Sequence, residues 1–228
     1  MTDRDLAIET LRGSTLGSGL DEAVLQQLLA VSQLQNHPSG ASVLHQQGEA
    51  NAVYLPCSGM IMIERTAYSG DRQVIDFLSR GDYLGFTSTG QYLYSASTLL
   101  PCLLIKFPRG RFDDLCEETP QLKQNVARIT NLVLSHVMDH LFAIGQKRAH
   151  ERLGFLIHAF FQRFGTDTEN VIQLPMNRTD IGDYLGLTLE TTSRAFTRLR
   201  KEGVISTPDH HSVVIEDLEA LQELADVE

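Results

Sequence analysis

The chain has 228 residues, 42% apolar and 21% charged, enough for two modest domains with buried cores, and no apolar run reaches the roughly 18 residues of a membrane span. The polar, acidic N-terminus MTDRDLAIETLRG does not read as a secretion signal, so a cytoplasmic protein with no membrane partner is expected. A net charge of −10 disfavours a polyanion partner, but residues 146–202 carry 9 basic and 7 acidic groups against 10 and 15 in residues 1–145 and 0 and 7 in residues 203–228, so the one net positive block is local.

A short helix is expected at about 21–32. From 37 to 108 short apolar runs are punctuated by Gly40, Gly48, Gly59, Gly70, Gly81 and Gly90 at intervals of mostly 8 to 12 residues, the rhythm of a small antiparallel barrel. Residues 20–110 are therefore read as a β-barrel within an N-terminal domain, 1–118. Cys57, Cys102 and Cys116 are odd in number and widely spaced, which fits neither a disulfide framework nor a metal knuckle; they are expected as reduced, buried side chains of the barrel, with a redox role as the alternative.

Between Pro120 and Gly145 there is neither glycine nor another proline, which allows one long helix over 119–145. Ala127, Thr130, Leu134, Val137, Leu141 and Ile144 recur at alternating steps of three and four, as a two-helix seam requires. A second stripe, Leu122, Val126, Ile129 and Val133, lies on an adjacent face. One stripe can cover the barrel while the other meets an identical helix, making this segment a homodimer interface; the alternative is a single amphipathic helix covering its own barrel. His136 and His140 are four residues apart on it, a spacing that suits a metal or haem but more often marks a surface pair. An amphipathic helix at 147–164 follows, then GTDTENVIQLPM as a turn and short strand.

The segment NRTDIGDYLGLTLETTSRAFTRLRKEGVI spells two helices joined by a tight turn. Asn177 with Asp180 forms a capping box, Gly186 ends the first helix, and Thr188 caps the second. Ile181, Leu185, Leu187, Thr192, Ala195 and Leu199 supply the contacts between them; Thr192 is the weak member, where Val is expected. Gly182 is small where the helices come closest. The opposite face of the second helix offers Glu190, Ser193 and Arg194 to base edges in a major groove. Arg178, Thr179, Thr188, Thr197 and Arg198 are placed for phosphates of double-stranded DNA. Taken singly these are ordinary solvated helix residues; the turn, the caps and a following wing, VISTP and SVVIED around Pro208–His211, make DNA reading the better account. A last acidic helix is expected at 217–225. The DNA-reading domain is thus 146–228.

The run LPMNRTDIGDYLGLTLETTSRAFTRLRKEGVI closely resembles the DNA-binding domain of the CRP/FNR superfamily, in particular its FNR/FixK branch, whose recognition helix carries Glu-x-x-Ser-Arg, here Glu190, Ser193 and Arg194. The resemblance extends more loosely to the whole chain. It implies an α+β fold with a cyclic-nucleotide-type β-roll, a dimerisation helix and a winged helix-turn-helix. It also implies a homodimeric regulator, an activator recruiting RNA polymerase, on a two-fold site with TTGAT-like half-sites. In GDYLGFTSTGQYLYSAS, the stretch resembling the family's phosphate cassette, Phe86 and Tyr94 stand where a Glu and an Arg would hold a cyclic nucleotide, so no cAMP is expected. No cysteine precedes Cys57, which excludes an FNR-type cluster within one chain. No cofactor is expected, although a haem- or redox-dependent sensor of the same fold is the alternative. No nucleophile elbow, P-loop or HExxH motif points to an enzyme.

Overall fold

A computed structural model describes residues 1–164 and 170–225. The chain divides into two compact units, Met1–Ser135 and His136–Glu228, the boundary falling inside one long helix.

The first unit opens with α1 (Asp3–Gly13), whose Thr2 cap exchanges hydrogen bonds with Asp5, and α2 (Glu22–Val31), capped by Asp21. Seven strands follow: β1 (Gln33–His37), β2 (Ser42–Leu44), β3 (Ala52–Ser58), β4 (Ile61–Thr66), β5 (Arg72–Leu78), β6 (Ser95–Thr98) and β7 (Cys102–Pro108). They form two antiparallel sheets, ordered β1-β7-β3 and β2-β6-β4-β5. The β-roll and the leading helix are as expected; α1 and a further helix, α3 (Arg109–Glu118), are additional.

Within the first sheet, β3 and β7 are buried on both faces, whereas β1 is largely exposed. On β3 and β7, Val53, Leu55, Cys57, Leu103, Ile105 and Phe107 pack with Leu11, Leu28 and Phe112 of the helices. Their alternate neighbours Ala52, Tyr54, Cys102 and Leu104 pack with Ile61, Ile63 and Leu78 of the second sheet. Two faces of one pleated strand thus feed two cores.

The long helix is α4 (Pro120–Gln146). Leu122, Val126 and Ile129 join the helix-side core of the first unit. Val133, expected on that stripe, is exposed instead. The core contacts of the stripe stop at Ile129, one turn short of it.

The second unit contains the end of α4, then α5 (Ala149–Phe164), β8 (Val171–Gln173), α6 (Arg178–Leu185), α7 (Leu189–Lys201), β9 (Ile205–Ser206), β10 (Ser212–Ile215) and α8 (Leu218–Ala225). Leu153, Leu156, Ile157 and Phe160 bury one face of α5, which packs against α7 and α8. The wing is antiparallel with order β8-β10-β9. The turn expected at GTDTE, 165–169, lies outside the described residues.

Candidate nucleic-acid interface

The geometry of α6 and α7 follows from a few short-range bonds. Asn177 Oδ1 accepts from the N–H groups of Thr179 and Asp180 at 2.8 and 2.9 Å, and Asp180 returns the contact to the Asn177 N–H at 3.3 Å. Gly186 ends α6 in the left-handed region, φ +64°, which an L side chain adopts only with strain. Thr188 then caps α7, its Oγ1 accepting from the Thr191 N–H at 3.2 Å.

The contact between the helices explains both residues that stand out in it. A β-carbon at Gly182 would lie 2.8 Å from the Leu187 carbonyl oxygen and 3.0 Å from Thr192 Oγ1, so the close approach needs glycine. Thr192 is fully buried, yet its hydroxyl is satisfied, donating to the Thr188 carbonyl at 3.0 Å. A threonine therefore serves where valine was expected, because its own helix supplies the acceptor.

Glu190, Ser193 and Arg194 are all exposed on the outer face of α7. The Glu190 carboxyl is held below its usual range by its own backbone N–H, helped by the Thr188 hydroxyl, so it stands ionised as an acceptor at neutral pH. Arg194 Nη2 leans on Thr191 Oγ1 at 3.2 Å, leaving the rest of the guanidinium outward. Leu189, to which sequence reasoning gave no role, is 48% exposed at the start of the same helix, four residues from Ser193. An exposed apolar side chain among polar ones was the available signal.

The residues assigned to phosphates divide. Thr179 and Thr188 are exposed near the N-termini of α6 and α7. Thr197 is half-buried, its hydroxyl donating to the Ser193 carbonyl at 3.0 Å and accepting from Arg200. Arg198 is turned back on its own domain, with Nε on Glu202 Oε1 at 2.7 Å and Nη1 3.1 Å from His150 Nδ1. The i, i+4 carboxylate captures it. Arg178 is half-buried on the Phe196 ring. In the wing, Asp209 accepts from the His211 and Ser212 N–H groups, both at 2.7 Å, which fixes the turn.

On α4, Thr130, Leu134 and Val137 are exposed, as are Ala127 and Leu141; Leu134 and Leu141 expose 56% and 68%. Met138 and Phe142, also exposed, widen this apolar face beyond the six residues read as a seam. Ile144 departs from it: half-buried, its Cγ2 lies 3.6 Å from where a β-carbon on Gly186 would stand. His140 has its Nε2 2.9 Å from the Tyr184 carbonyl, a commitment that takes it from the metal-binding pair with exposed His136.

In the β-roll, Phe86 packs between Tyr83 and Phe112 with ring centroids 6.3 and 6.0 Å away. Tyr94 Oη accepts from the Gly85 N–H at 2.9 Å, filling an amide of the cassette-like loop from within. Cys57 and Cys102 are buried as expected, but Cys116 lies on α3, half-exposed and outside the barrel. Burial pushes all three thiols up to about 11, so they are protonated at neutral pH.

Two domain families match the chain, a Crp-like helix-turn-helix domain over residues 151–224 and a cyclic nucleotide-binding domain over 34–119. The nitrogen fixation regulation protein FixK of Bradyrhizobium diazoefficiens is 30% identical over 198 residues, covering 86% of this chain and 84% of its own. The anaerobic regulatory protein of Haemophilus influenzae is 31% identical over 210 residues, covering 90% and 81%. The solved structure of FixK2 from Bradyrhizobium japonicum superposes with a TM-score of 0.80 at 26% identity, covering 85% of this chain and 97% of that one.

Proposed function

The chain belongs to the CRP/FNR superfamily of transcription regulators, in its FixK-like branch, and on that premise we propose that it binds a palindromic TTGAT-type site as a homodimer and activates transcription through RNA polymerase. It is a regulator and not an enzyme. The observation that carries the site assignment is the exposed triplet Glu190, Ser193 and Arg194 on a capped, buttressed helix. Arg194 donates twice to a guanine, Glu190 accepts from a cytosine amino group, and Ser193 bonds a neighbouring base. Thr179 and Thr188, exposed at helix N-termini, meet phosphates and set the register.

Dimerisation is supported by the apolar face of α4, where Leu134, Val137 and Leu141 stand exposed with no charge interrupting the spacing. A two-fold pair of such helices buries that face and presents one recognition helix per protomer to successive major grooves. The β-roll acts in this reading without a cyclic nucleotide or an iron–sulfur cluster: Phe86 is packed among aromatic rings and the Gly85 amide is already bonded to Tyr94.

Arg194→Ala tests the reading directly. It is expected to cost about 1–3 kcal/mol on the TTGAT-type duplex and little on a scrambled one. Equal losses on both would remove Arg194 from base reading.

A further inference from the structure

Arg178 and Arg200 of the second unit repel one another, and Arg200 stands one turn along α7 from the ring on which Arg178 lies. Arg178 opens α6, and its Cζ sits 3.1 Å from the centroid of the Phe196 ring on α7. Phe196 is itself buried, so the guanidinium rests on a fixed surface. Among the described residues Arg178 has no hydrogen-bond or ion-pair partner, although a guanidinium carries five N–H donors. Among the described residues Arg200, one turn after Phe196, is held by two hydroxyls, Nη2 on Thr197 Oγ1 at 3.2 Å and Nη1 on Thr207 Oγ1 at 3.4 Å. Burial first and Arg200 second push Arg178 down to about 10, still fully charged at neutral pH.

An arginine whose plane is stacked and whose edge is unfilled has already lost most of its side-chain freedom, so a ligand bound to that edge orders little more. A second guanidinium beside it raises the local positive potential, which only an anion relieves. The planar fork of arginine suits two oxygens of a phosphate.

We propose that Phe196 is a positioning residue that holds Arg178 beside Arg200 as a two-arginine clamp for one phosphate of bound DNA. The proposal rests on the DNA-binding reading above and adds to it two residues, Phe196 and Arg200, that have no base to read. Phe196 acts only through Arg178.

The test is the salt dependence of binding by the full chain, on the TTGAT-type and scrambled duplexes, between about 50 and 200 mM salt. Losing one phosphate contact lowers the log–log slope by about 0.9, which is roughly a 3.5-fold smaller change in affinity across that range. Arg178→Ala and Phe196→Leu should each produce this on both duplexes, and together no more than Arg178→Ala alone. Arg200→Ala should be likewise non-additive with Arg178→Ala. Phe196→Tyr, which keeps the ring, should bind as the unaltered protein does.

A Phe196→Leu slope equal to that of the unaltered protein, or additive losses, would overturn the clamp while leaving DNA binding intact. Failure of the unaltered protein to bind either duplex would instead overturn the reading beneath it. Should Phe196→Leu not fold, Arg178→Lys decides. It keeps the charge but not the stacked fork, and affinity retained on both duplexes would sink the proposal.

Discussion

His140 and Tyr184 lie face to face, ring centroids 3.9 Å apart and planes within 13°, while the imidazole Nε2 donates to the Tyr184 carbonyl at 2.9 Å. The pair joins the last turns of α4 to the last turn of α6. Arg152 acts beside it, donating from Nη1 to the Leu185 carbonyl at 3.0 Å and from Nε to the Lys147 carbonyl at 2.8 Å. Two adjacent carbonyls at the end of α6 thus accept from side chains of α4 and α5, which satisfies groups a helix terminus leaves open.

This arrangement gives the second unit a pH dependence. Burial lowers the His140 pKa, His136 lowers it further, and the bond to Tyr184 opposes both. A histidine with a depressed folded pKa binds fewer protons when folded, so its contribution is fully present above about pH 6.5 and is lost as pH falls below it. His150 and His158 shift the same way, mainly through burial. Thermal melts from pH 8 to 5.5 should show falling Tm below about 6.5, with a smaller fall in His140→Gln. A Tm that rises on acidification would contradict the assignment.

The apolar face of α4 makes a prediction about assembly. Leu134→Glu places a charge in the proposed seam on both protomers, and burial of a leucine is worth about 1.5–3 kcal/mol per side chain. Sedimentation equilibrium should show the dimer dissociation constant raised by at least about tenfold, with DNA affinity falling in step. An unchanged dimer would move the interface elsewhere.

Leu189 bears on base preference. Its exposed side chain is placed among Glu190 and Ser193, where the apolar feature of a major groove is the thymine methyl group. Leu189→Ala should weaken binding to the thymine-containing site, and replacing those thymines by deoxyuracil should weaken the unaltered protein but not the variant. Equal sensitivity of both proteins to deoxyuracil would deny Leu189 this role.

The packing between α6 and α7 yields an opposed pair. Gly182→Ala forces a β-carbon against the Leu187 carbonyl and should cost about 1–3 kcal/mol in chemical denaturation. Thr192→Val removes a hydroxyl whose partner is the Thr188 carbonyl of the same helix and should change stability by less than about 1 kcal/mol. Reversal of that order would mean the helix contact is misplaced.

How far these features were legible in sequence depended on whether their cause was local. The turn at Gly186 and the caps at Asn177 and Thr188 each rest on neighbours within five residues, and they stand where the spacing puts them. The strands of the first sheet were blurred because β3 and β7 bury both faces, so CLLIKFP lacks the alternation that marks a half-exposed strand. Helix α1 hid behind its polar composition, although Thr2 and Asp5 form a capping box that was there to be read. The orientation of Arg178 was beyond local reading, since Phe196, which holds it, comes from the next helix; of the two groups that hold Arg198, Glu202 is local at i+4 but His150 comes from elsewhere in the sequence.

The central claim is best tested by fluorescence anisotropy of the purified, reduced protein, with no ligand added, against a TTGAT-n4-ATCAA duplex and a scrambled control at physiological salt. The account predicts tight, saturable binding to the first and only weak, salt-sensitive binding to the second. Equal affinity for both duplexes would contradict the assignment of Glu190, Ser193 and Arg194 as base readers.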